Sequence, residues 1–365
     1  MLNILLIGVG QCGNRILDSI NREAFGGGVV SKYYGKQKFV SNVQTIAINT
    51  AVNDLKELRY TKSRDRIHVP YLHGVGANRN VGKDCFEDNK ELLLRAIEER
   101  GDFDVAFVIA SASGGTGSSF TPPLIEAMKE RYNFNVYGIL VLPFREEGSI
   151  YLQNSIFCLK ELMSGNGDGT IIADNEFLKN LGKDIKAAYD GINHTIAQRF
   201  LFLLKALDSE MMMVTDLGDF KTVMAAGSKL ATIGYGEASN NLTIKSTIKQ
   251  SLSHGGLLFQ IDPYKEATRA MMIIEGDKKY LNINDITTEV DRLSSDIGHV
   301  FKGVLLRDGV MPRVLTVLSI GASVELDRLF NIGVEAIEKE RGKKEQIAMQ
   351  NLSISNKMDG LEPMY

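Results

Sequence analysis

A pattern of an apolar run, a glycine-rich turn and a helix-like segment recurs along the first 145 residues, and few folds accommodate it. Short apolar runs lie at residues 2–8, 45–49, 105–110 and 136–142. Nearly continuous apolar runs of this length are typical of parallel strands that are buried on both faces of a sheet. The pattern therefore predicts a doubly wound α/β domain that binds its ligands at the carboxyl ends of the strands.

A long helix and a smaller second α/β unit are predicted to follow. Between residues 184 and 208, apolar residues recur every three or four positions, which indicates one continuous helix. Further strand-like runs alternate with helix-like segments beyond it, and these predict the second α/β unit. The strand-like runs lie at 229–235, 269–275, 301–306 and 314–319. Residues 324–347 are predicted to form a charged helix, with 348–365 frayed.

Composition excludes several classes of protein. The 365 residues carry a formal net charge of -3, so charge alone does not hold the chain on nucleic acid or on an anionic membrane. The three scattered cysteines include no CxxC pair, which argues against a disulfide framework and against a zinc site. The first apolar run is too short for a signal peptide, and no stretch reaches the roughly 18 apolar residues that span a bilayer. The sequence therefore predicts a cytoplasmic protein.

Three glycine-bearing turns, at residues 8–14, 73–78 and 113–118, are the strongest indications of a ligand. Glycine lets the backbone approach a ligand closely, and unpaired N–H groups at the start of a helix attract phosphate. The first turn also matches the dinucleotide fingerprint of dehydrogenases, but the second strand ends at Asn49 without the acidic residue that this interpretation needs. The third turn, with three glycines and a threonine, favours a site for two or three phosphates.

Together these turns resemble the tubulin and FtsZ superfamily of GTP-dependent filament proteins. The resemblance runs in order from residue 4 to about 240, and motifs within 137–151, 174–175 and 189–200 are most similar to the archaeal CetZ branch. It implies an α/β, tubulin/FtsZ-like fold with a Rossmann-like GTP-binding domain. The implied segments are a GTP-binding domain over 1–183, a central core helix over 184–208, a C-terminal activation domain over 209–340 and a charged tail over 341–365.

The resemblance also implies which residues contact the nucleotide. Glu147 matches a ribose contact and Asn175 a guanine contact, while Tyr189 is expected to stack on the base, although a tyrosine on an apolar helix stripe is more often a core residue. The chain departs from the family pattern at Ala51, where FtsZ usually has an acid, and at Ser119, where glycine is usual. The implied contacts are Gly10, Gln11, Cys12, Asn14, Asn49, Gly74, Gly76, Ala77, Asn78, Gly114, Gly115, Thr116, Gly117, Glu147, Asn175, Tyr189 and Asn193.

Two acidic residues after the long helix, Asp216 and Asp219, match the catalytic positions of the family. The resemblance places them at the opposite pole of the subunit from the nucleotide, so that a second subunit stacked head to tail would supply them. A helix start that carries acids is also common and mildly stabilising, and both interpretations can hold together. The implied ligands are GTP or GDP, with Mg²⁺ bound through the phosphates and no metal site made by the protein alone.

The resulting hypothesis is a cytoskeletal GTPase that polymerises into protofilaments, hydrolyses GTP at the subunit interface and controls cell shape. An FtsZ-type division filament and a TubZ-type DNA-positioning filament are the alternatives within the superfamily. A non-polymerising dinucleotide-binding dehydrogenase is the alternative from another class. The partner is expected to be the protein itself, with the tail as a candidate contact for a membrane or filament adaptor, and no sequence-specific binding of nucleic acid is expected.

Overall fold

A mixed sheet runs through both halves of the chain in this computed structural model. Within the residues that the structure describes, the sheet has ten strands. The described residues are 2–25, 42–71, 74–181, 184–208, 216–238 and 243–358.

Strands and helices alternate in the first half, as the apolar runs predict. The first strands are all parallel to their neighbours, in the spatial order third, second, first, fourth, fifth and sixth. The elements are β1 (Asn3–Val9), α1 (Gly10–Phe25), β2 (Asn42–Asn49), α2 (Val52–Lys56), β3 (Arg66–His68), α3 (Arg79–Glu98), β4 (Val105–Ser111), α4 (Gly115–Arg131), β5 (Asn135–Leu142), α5 (Ser149–Ser164), β6 (Gly169–Asp174) and α6 (Asn175–Leu178).

The second half extends the same sheet instead of forming a separate one. Its elements are α7 (Ile185–Leu207), α8 (Leu217–Met224), β7 (Leu230–Glu237), α9 (Ile244–Ser251), β8 (Ala267–Gly276), α10 (Ile283–Ile297), β9 (His299–Leu306), β10 (Arg313–Ile320) and α11 (Val324–Met358). Strand β7 runs parallel to β6 through two residue pairs and antiparallel to β10, which in turn is antiparallel to β8. The proposed domain boundaries at 183 and 209 fall outside the described residues.

The last helix is longer than the sequence analysis predicted. The prediction ended the helix at 347 and left 348–365 frayed, but α11 continues to Met358. No glycine or proline occurs between 343 and 358, so nothing in the local sequence stops the helix there. Residues 341–351 are exposed, and none of the helices in the described part of the chain is long and apolar enough to cross a membrane.

A cluster of aromatic rings attaches the short helix α8 to the sheet. The ring of Phe220 lies 5.0 Å from that of Tyr137 in β5 and 6.2 Å from that of Phe107 in β4, measured between centroids. Phe200 of α7 packs edge-on against Phe107 at 4.9 Å. All four side chains are almost fully buried. Helices α7 and α8 are therefore held on the same face of the sheet by one apolar core.

Candidate functional site

A cavity of about 570 Å³ opens at the carboxyl ends of the parallel strands. Val9 ends β1, Asn49 ends β2 and Ser111 ends β4, and all three residues line it. This is where the doubly wound pattern predicts a ligand. The structure brings all but two of the predicted nucleotide contacts to the cavity wall, namely Gly10, Gln11, Cys12, Asn49, Gly74, Gly76, Ala77, Gly114, Gly115, Thr116, Gly117, Glu147, Asn175, Tyr189 and Asn193.

Two helices begin at the cavity and form its anion-attracting side. Helix α1 starts at Gly10 directly after β1, and α4 starts at Gly115 after a turn that follows β4. Gly114 precedes α4 in an extended conformation and provides no side-chain cap. Helix geometry leaves the N–H groups of a first turn without partners inside the helix, and the helix dipole adds positive potential there. The wall around Gly10 and residues 114–117 is therefore suited to phosphate groups.

The second and third glycine-bearing turns, at residues 73–78 and 113–118, touch each other without an intervening side chain. A Cβ atom on Gly115 would lie 1.5 Å from the carbonyl oxygen of Gly76. Asn154 of α5 bridges the same two loops, because its Nδ2 donates to the carbonyl oxygens of Ala77 and Ser113 at 2.9 Å each. The buried amide of Asn154 thus fixes the separation of the two loops, although the sequence analysis did not select it.

Ser119, where the family usually has glycine, fits because a neighbouring helix has a glycine instead. The Ser119 hydroxyl donates to the carbonyl oxygen of Gly115 at 2.6 Å, within its own helix. A Cβ atom on Gly82 of α3 would lie 2.0 Å from that hydroxyl oxygen. The departure from the family pattern therefore leaves the shape of the loop intact.

Asp54 is an acidic wall residue that the sequence analysis missed. Its carboxylate accepts hydrogen bonds from Nε2 of Gln11 at 3.2 Å and from Nδ2 of Asn49 at 3.0 Å. It lies on α2, three positions after Ala51, the position where FtsZ usually carries its acid. The sequence contains one signal for Asp54: it is an acidic residue on the short segment that directly follows β2.

Arg15 is a second wall residue that the sequence analysis missed. It is the one positively charged side chain in the described part of the cavity wall. It follows Gln11 by four positions on α1, so both side chains lie on the same face of the helix. Its guanidinium contacts the carboxylate of Glu57 at 3.1 Å, and both side chains are largely exposed. An exposed pair of this kind contributes little stability, so Arg15 can turn towards an anionic ligand at small cost.

The opposite side of the cavity is built from Glu147 and Tyr189. The Tyr189 hydroxyl donates to Oε1 of Glu147 at 3.2 Å, and the same oxygen accepts from the backbone N–H of Phe144 at 3.0 Å. The rings of Tyr189 and Phe144 pack edge-on with centroids 5.2 Å apart. Burial, with the charge of Glu147, raises the pKa of Tyr189 to about 12, so its hydroxyl remains a neutral donor at physiological pH.

Two buried amides, Asn175 and Asn193, face the cavity beside Tyr189. The Oδ1 atom of Asn175 has no hydrogen-bond partner among the described residues. A buried acceptor without a partner costs free energy, so native structures rarely leave one unpaired. A ligand edge that carries N–H donors, such as that of guanine, satisfies this oxygen.

Cys12 lies in the wall as a neutral thiol. Burial, with the nearby charge of Glu147, raises its pKa to about 12. The thiolate is the nucleophilic form of cysteine, and at neutral pH almost none is present. Cys12 therefore contributes a neutral side chain to the cavity wall.

Asn14 and Asn78 are the two predicted contacts that the structure does not place in the wall. Asn14 is fully buried between α1 and β2, where its Nδ2 donates to the carbonyl oxygen of Ile48 at 3.1 Å. Asn78 caps α3, since its Oδ1 accepts from the N–H groups of Asn80 and Val81 at 3.1 and 3.3 Å. Both side chains hold the loops that border the cavity.

Asp216 and Asp219 form a reciprocal cap at the start of α8. Oδ1 of Asp216 accepts from the N–H of Asp219 at 2.9 Å, and Oδ2 of Asp219 accepts from the N–H of Asp216 at 3.3 Å. This arrangement satisfies two N–H groups of the helix start. Neither carboxylate lines the cavity. The two aspartates therefore cap α8, as the structural interpretation predicts. A catalytic role would require the cavity of another subunit, because the cavity of the same chain does not contain them.

The acidic pair lies at the end of the sheet away from the cavity. Helix α7 has Tyr189 and Asn193 at the cavity, and from Asn193 to Leu207 it extends about 21 Å further towards the other end. There Asp208 accepts from the N–H of Leu2, beside the start of β1, at 3.2 Å. The last residue of α8, Met224, contacts Gly169 at the start of β6. Helix α8 thus lies against the amino ends of the strands, whereas the cavity lies at their carboxyl ends.

Metal ligands are scarce around the cavity. In the part of the chain that the structure describes, no group of three or more His, Cys, Asp or Glu side chains could hold a metal ion. A divalent cation at this site would therefore take most of its ligands from phosphate oxygens and water, as Mg²⁺ commonly does.

Comparison with known proteins identifies relatives for the whole chain. Residues 3–183 match the family model "Tubulin/FtsZ family, GTPase domain". The chain is 52% identical to the tubulin-like protein CetZ of Methanothrix thermoacetophila, over 100% of both sequences. Among solved structures, it is similar to CetZ from Methanosaeta thermophila strain DSM 6194, with a TM-score of 0.87 and 50% identity over 98% of each chain.

A more distant structure extends the comparison of the fold. CetZ2 from Haloferax volcanii, solved as a GTPγS-bound protofilament, matches with a TM-score of 0.80 over 93% of this chain and 100% of that one. The two sequences are 23% identical, so this likeness concerns the fold alone.

Proposed function

The chain belongs to the tubulin/FtsZ family, as a tubulin-like protein of the CetZ group, and on that premise we propose that it forms head-to-tail protofilaments and hydrolyses GTP at the subunit junctions. Its GTPase domain covers residues 3–183. The observation that carries the proposal is that Asp216 and Asp219 lie outside the cavity wall, at the end of the sheet towards which α7 runs from Asn193. One molecule has both halves of a hydrolytic site, at opposite ends.

Hydrolysis of the γ-phosphate needs a group that orients and polarises water in line with the bond that breaks. A second subunit stacked on the cavity end brings its own Asp216 and Asp219 to the phosphates of the first. Such a contact joins two different surfaces, so its repetition without ring closure gives an open filament. The GTPγS-bound protofilament formed by CetZ2 of Haloferax volcanii supports this arrangement for a related fold.

GTP is the proposed substrate, bound with its phosphates at the starts of α1 and α4 and its base between Tyr189, Asn175 and Asn193. We expect Mg²⁺ to accompany it, where it would neutralise charge on the phosphates. Asp54 is the carboxylate that fits such an ion, because it lies in the wall and already orients Gln11 and Asn49. A single carboxylate with phosphate oxygens and water is an ordinary ligand set for Mg²⁺.

In the cell, we propose a cytoplasmic filament that controls cell shape. The exposed end of α11, residues 341–351, is available for a membrane or filament adaptor. Division and DNA positioning by FtsZ-type and TubZ-type filaments remain the alternatives, because all of them rest on the same kind of junction. The dehydrogenase alternative finds no support in a chain that carries a tubulin/FtsZ GTPase domain.

The first test removes one carboxylate without removing the helix cap. In Asp219→Asn the amide oxygen can still accept from the N–H of Asp216, so α8 keeps its start. We expect GTP binding and sedimentable filaments to persist, with phosphate release reduced about a hundredfold or more. The matched control is Asp184→Asn, which alters the capping residue of α7 in the same way. Phosphate release from Asp219→Asn at the wild-type rate would refute the catalytic role.

The second test asks whether the carboxylates act on the neighbouring subunit. Asp219→Asn keeps an intact cavity, and Asn175→Ala keeps an intact acidic pair but has a disabled cavity. We expect each variant alone to be inactive and an equimolar mixture to recover part of the phosphate release, because some junctions combine the two intact halves. A mixture as inactive as its components would mean that the site is completed within one chain.

A further inference from the structure

Arg145 links three parts of the molecule that are far apart in sequence. It lies between β5 and α5, outside the cavity wall, with its side chain mostly buried. Its Nη1 and Nη2 atoms donate to the two carboxylate oxygens of Asp174, at 3.1 and 2.7 Å. Nη2 also donates to Glu325, in the first turn of α11, at 3.0 Å. None of these three residues was predicted to contact the nucleotide, although Asp174 belongs to the 174–175 motif.

Asp174 directly precedes the base-facing Asn175. Its carboxylate caps α6, accepting from the N–H of Glu176 at 3.1 Å, and is almost fully buried. Helix α6 has four residues, too few to hold its own position. The orientation of the Asn175 amide therefore depends on what holds Asp174, and the two-pronged contact from Arg145 fixes both its distance and its plane.

The same arginine stabilises the ribose side of the cavity. Its Nη1 donates to the carbonyl oxygen of Pro143 at 3.0 Å, and its backbone N–H donates to Glu176 at 3.2 Å. These contacts fix the short segment that carries Phe144 and Glu147. Glu325 contacts the guanidinium from α11 and so limits its movement away from Asp174.

We propose that Arg145, held by Glu325, is a positioning residue for base recognition. Its bidentate hydrogen bonds to Asp174 orient the neighbouring Asn175, so that the unpaired Oδ1 of the Asn175 amide faces the edge of the guanine ring. The inference rests on the proposed function, since it assumes a guanine nucleotide in the cavity. It adds a specificity determinant that touches neither the nucleotide nor the cavity.

The test measures selectivity between bases and not affinity alone. Dissociation constants for GDP and ADP are determined by titration for the wild type, Arg145→Lys and Arg145→Met. Lysine keeps the positive charge but cannot form the bidentate hydrogen bonds to Asp174, and methionine removes both the charge and the hydrogen bonds. We expect the preference for GDP over ADP to fall about three- to tenfold in both variants, through weaker GDP binding. General loosening of the cavity would weaken both nucleotides alike and leave the ratio unchanged.

Two further variants complete the design. Glu325→Gln keeps a hydrogen-bonding group on α11 without the charge, so we expect a smaller loss of selectivity in the same direction. Arg131→Met is the matched control, since Arg131 also contacts two carboxylates, Glu91 and Glu98, but lies at the far end of α4. It should leave the ratio unchanged.

The outcomes separate the inference from the proposed function. A wild-type protein without preference for GDP would overturn the proposed function and this inference with it. A wild type that prefers GDP, together with Arg145 and Glu325 variants that prefer it equally, would overturn the inference alone. Since Glu325→Gln leaves the side chains of Arg145 and Asp174 unchanged and only weakens the contact that holds Arg145, it provides this answer even if the Arg145 variants fold poorly.

Discussion

Gly114 and Gly115 are adjacent in the phosphate-facing turn but tolerate a side chain very differently. A Cβ atom on Gly115 would overlap the carbonyl oxygen of Gly76, whereas one on Gly114 would meet no atom within 4 Å. Gly115 is therefore required by the packing of two loops. Gly114 also lines the cavity, but its packing leaves room for a side chain.

Gly115→Ala is expected to lower the free energy of unfolding by about 3 kcal/mol, because the backbone of one loop must move to admit the methyl group. GDP affinity should fall with it. Urea unfolding without nucleotide provides the measurement, and Gly114→Ala is the control that should unfold like the wild type. Equal stability of the two variants would contradict the close contact between the loops.

The residues that sequence reasoning located are those that belong to local motifs, such as Gly10, Gly115 and Asn175. Asn154 and Arg145 could not be found in this way, because their partners lie up to 180 residues away in the chain. Asn14 belongs to a motif, yet its Nδ2 donates to the backbone of Ile48, and its Oδ1 has no partner among the described residues. Motifs therefore predict the wall of the site better than its supports.

At the scale of elements, helix α8 is attached to the sheet by a cluster of buried aromatic rings, and one of these rings carries a hydroxyl group without a hydrogen-bond partner in the described part of the chain. The hydroxyl of Tyr137 has no hydrogen-bond partner among the described residues, and burial raises its pKa far above the usual value. The ring itself packs against Phe107 and Phe220. The acids at residues 216 and 219 are compatible with a helix start, but they do not indicate which strands α8 contacts.

Tyr137→Phe should therefore raise the free energy of unfolding by about 1 kcal/mol, since it removes a buried polar atom that lacks a partner and keeps the ring. Chemical denaturation measures the change. Phe220→Ala, which removes a ring from the same cluster, should instead lower stability by about 3–5 kcal/mol. Destabilisation by Tyr137→Phe would mean that the hydroxyl has a partner after all.

At the scale of the whole molecule, four of the first six strands, β1, β2, β4 and β5, could be predicted, but the union of the two halves could not. Parallel strands with short connections follow from the repeated pattern. The junction between β6 and β7 consists of two residue pairs that are about 60 positions apart in sequence, and no local signal specifies it. The end of α11 was also not predicted, because no glycine or proline between residues 343 and 358 marks where the helix stops.

The contribution of two thiols and two phenols to stability should be constant up to about pH 9 and then fall towards pH 12. Burial raises the pKa of Cys12 and Cys158 from 9.0 to about 12, and that of Tyr132 and Tyr189 from 10.0 to about 12. The folded state thus holds these protons more tightly than the unfolded state. Their contribution is complete below the unfolded values and is lost as the pH rises through the folded ones.

Urea unfolding at a series of pH values measures this decline. Cys158→Ala removes one of the titrating groups, so its stability should fall less steeply between pH 9 and pH 12 than that of the wild type. An equally steep decline would show that the Cys158 thiol does not contribute to it.

The distance that α7 puts between the cavity and the acidic pair has a numerical consequence for any stack of these molecules. A linear assembly of n copies contains n nucleotides but only n − 1 contacts between copies. One terminal nucleotide is always left without its acidic neighbour, whatever the length of the stack. On the proposed role of Asp216 and Asp219, a short assembly therefore keeps a larger fraction of its GTP intact than a long one, and its two ends are chemically different from the first dimer onwards.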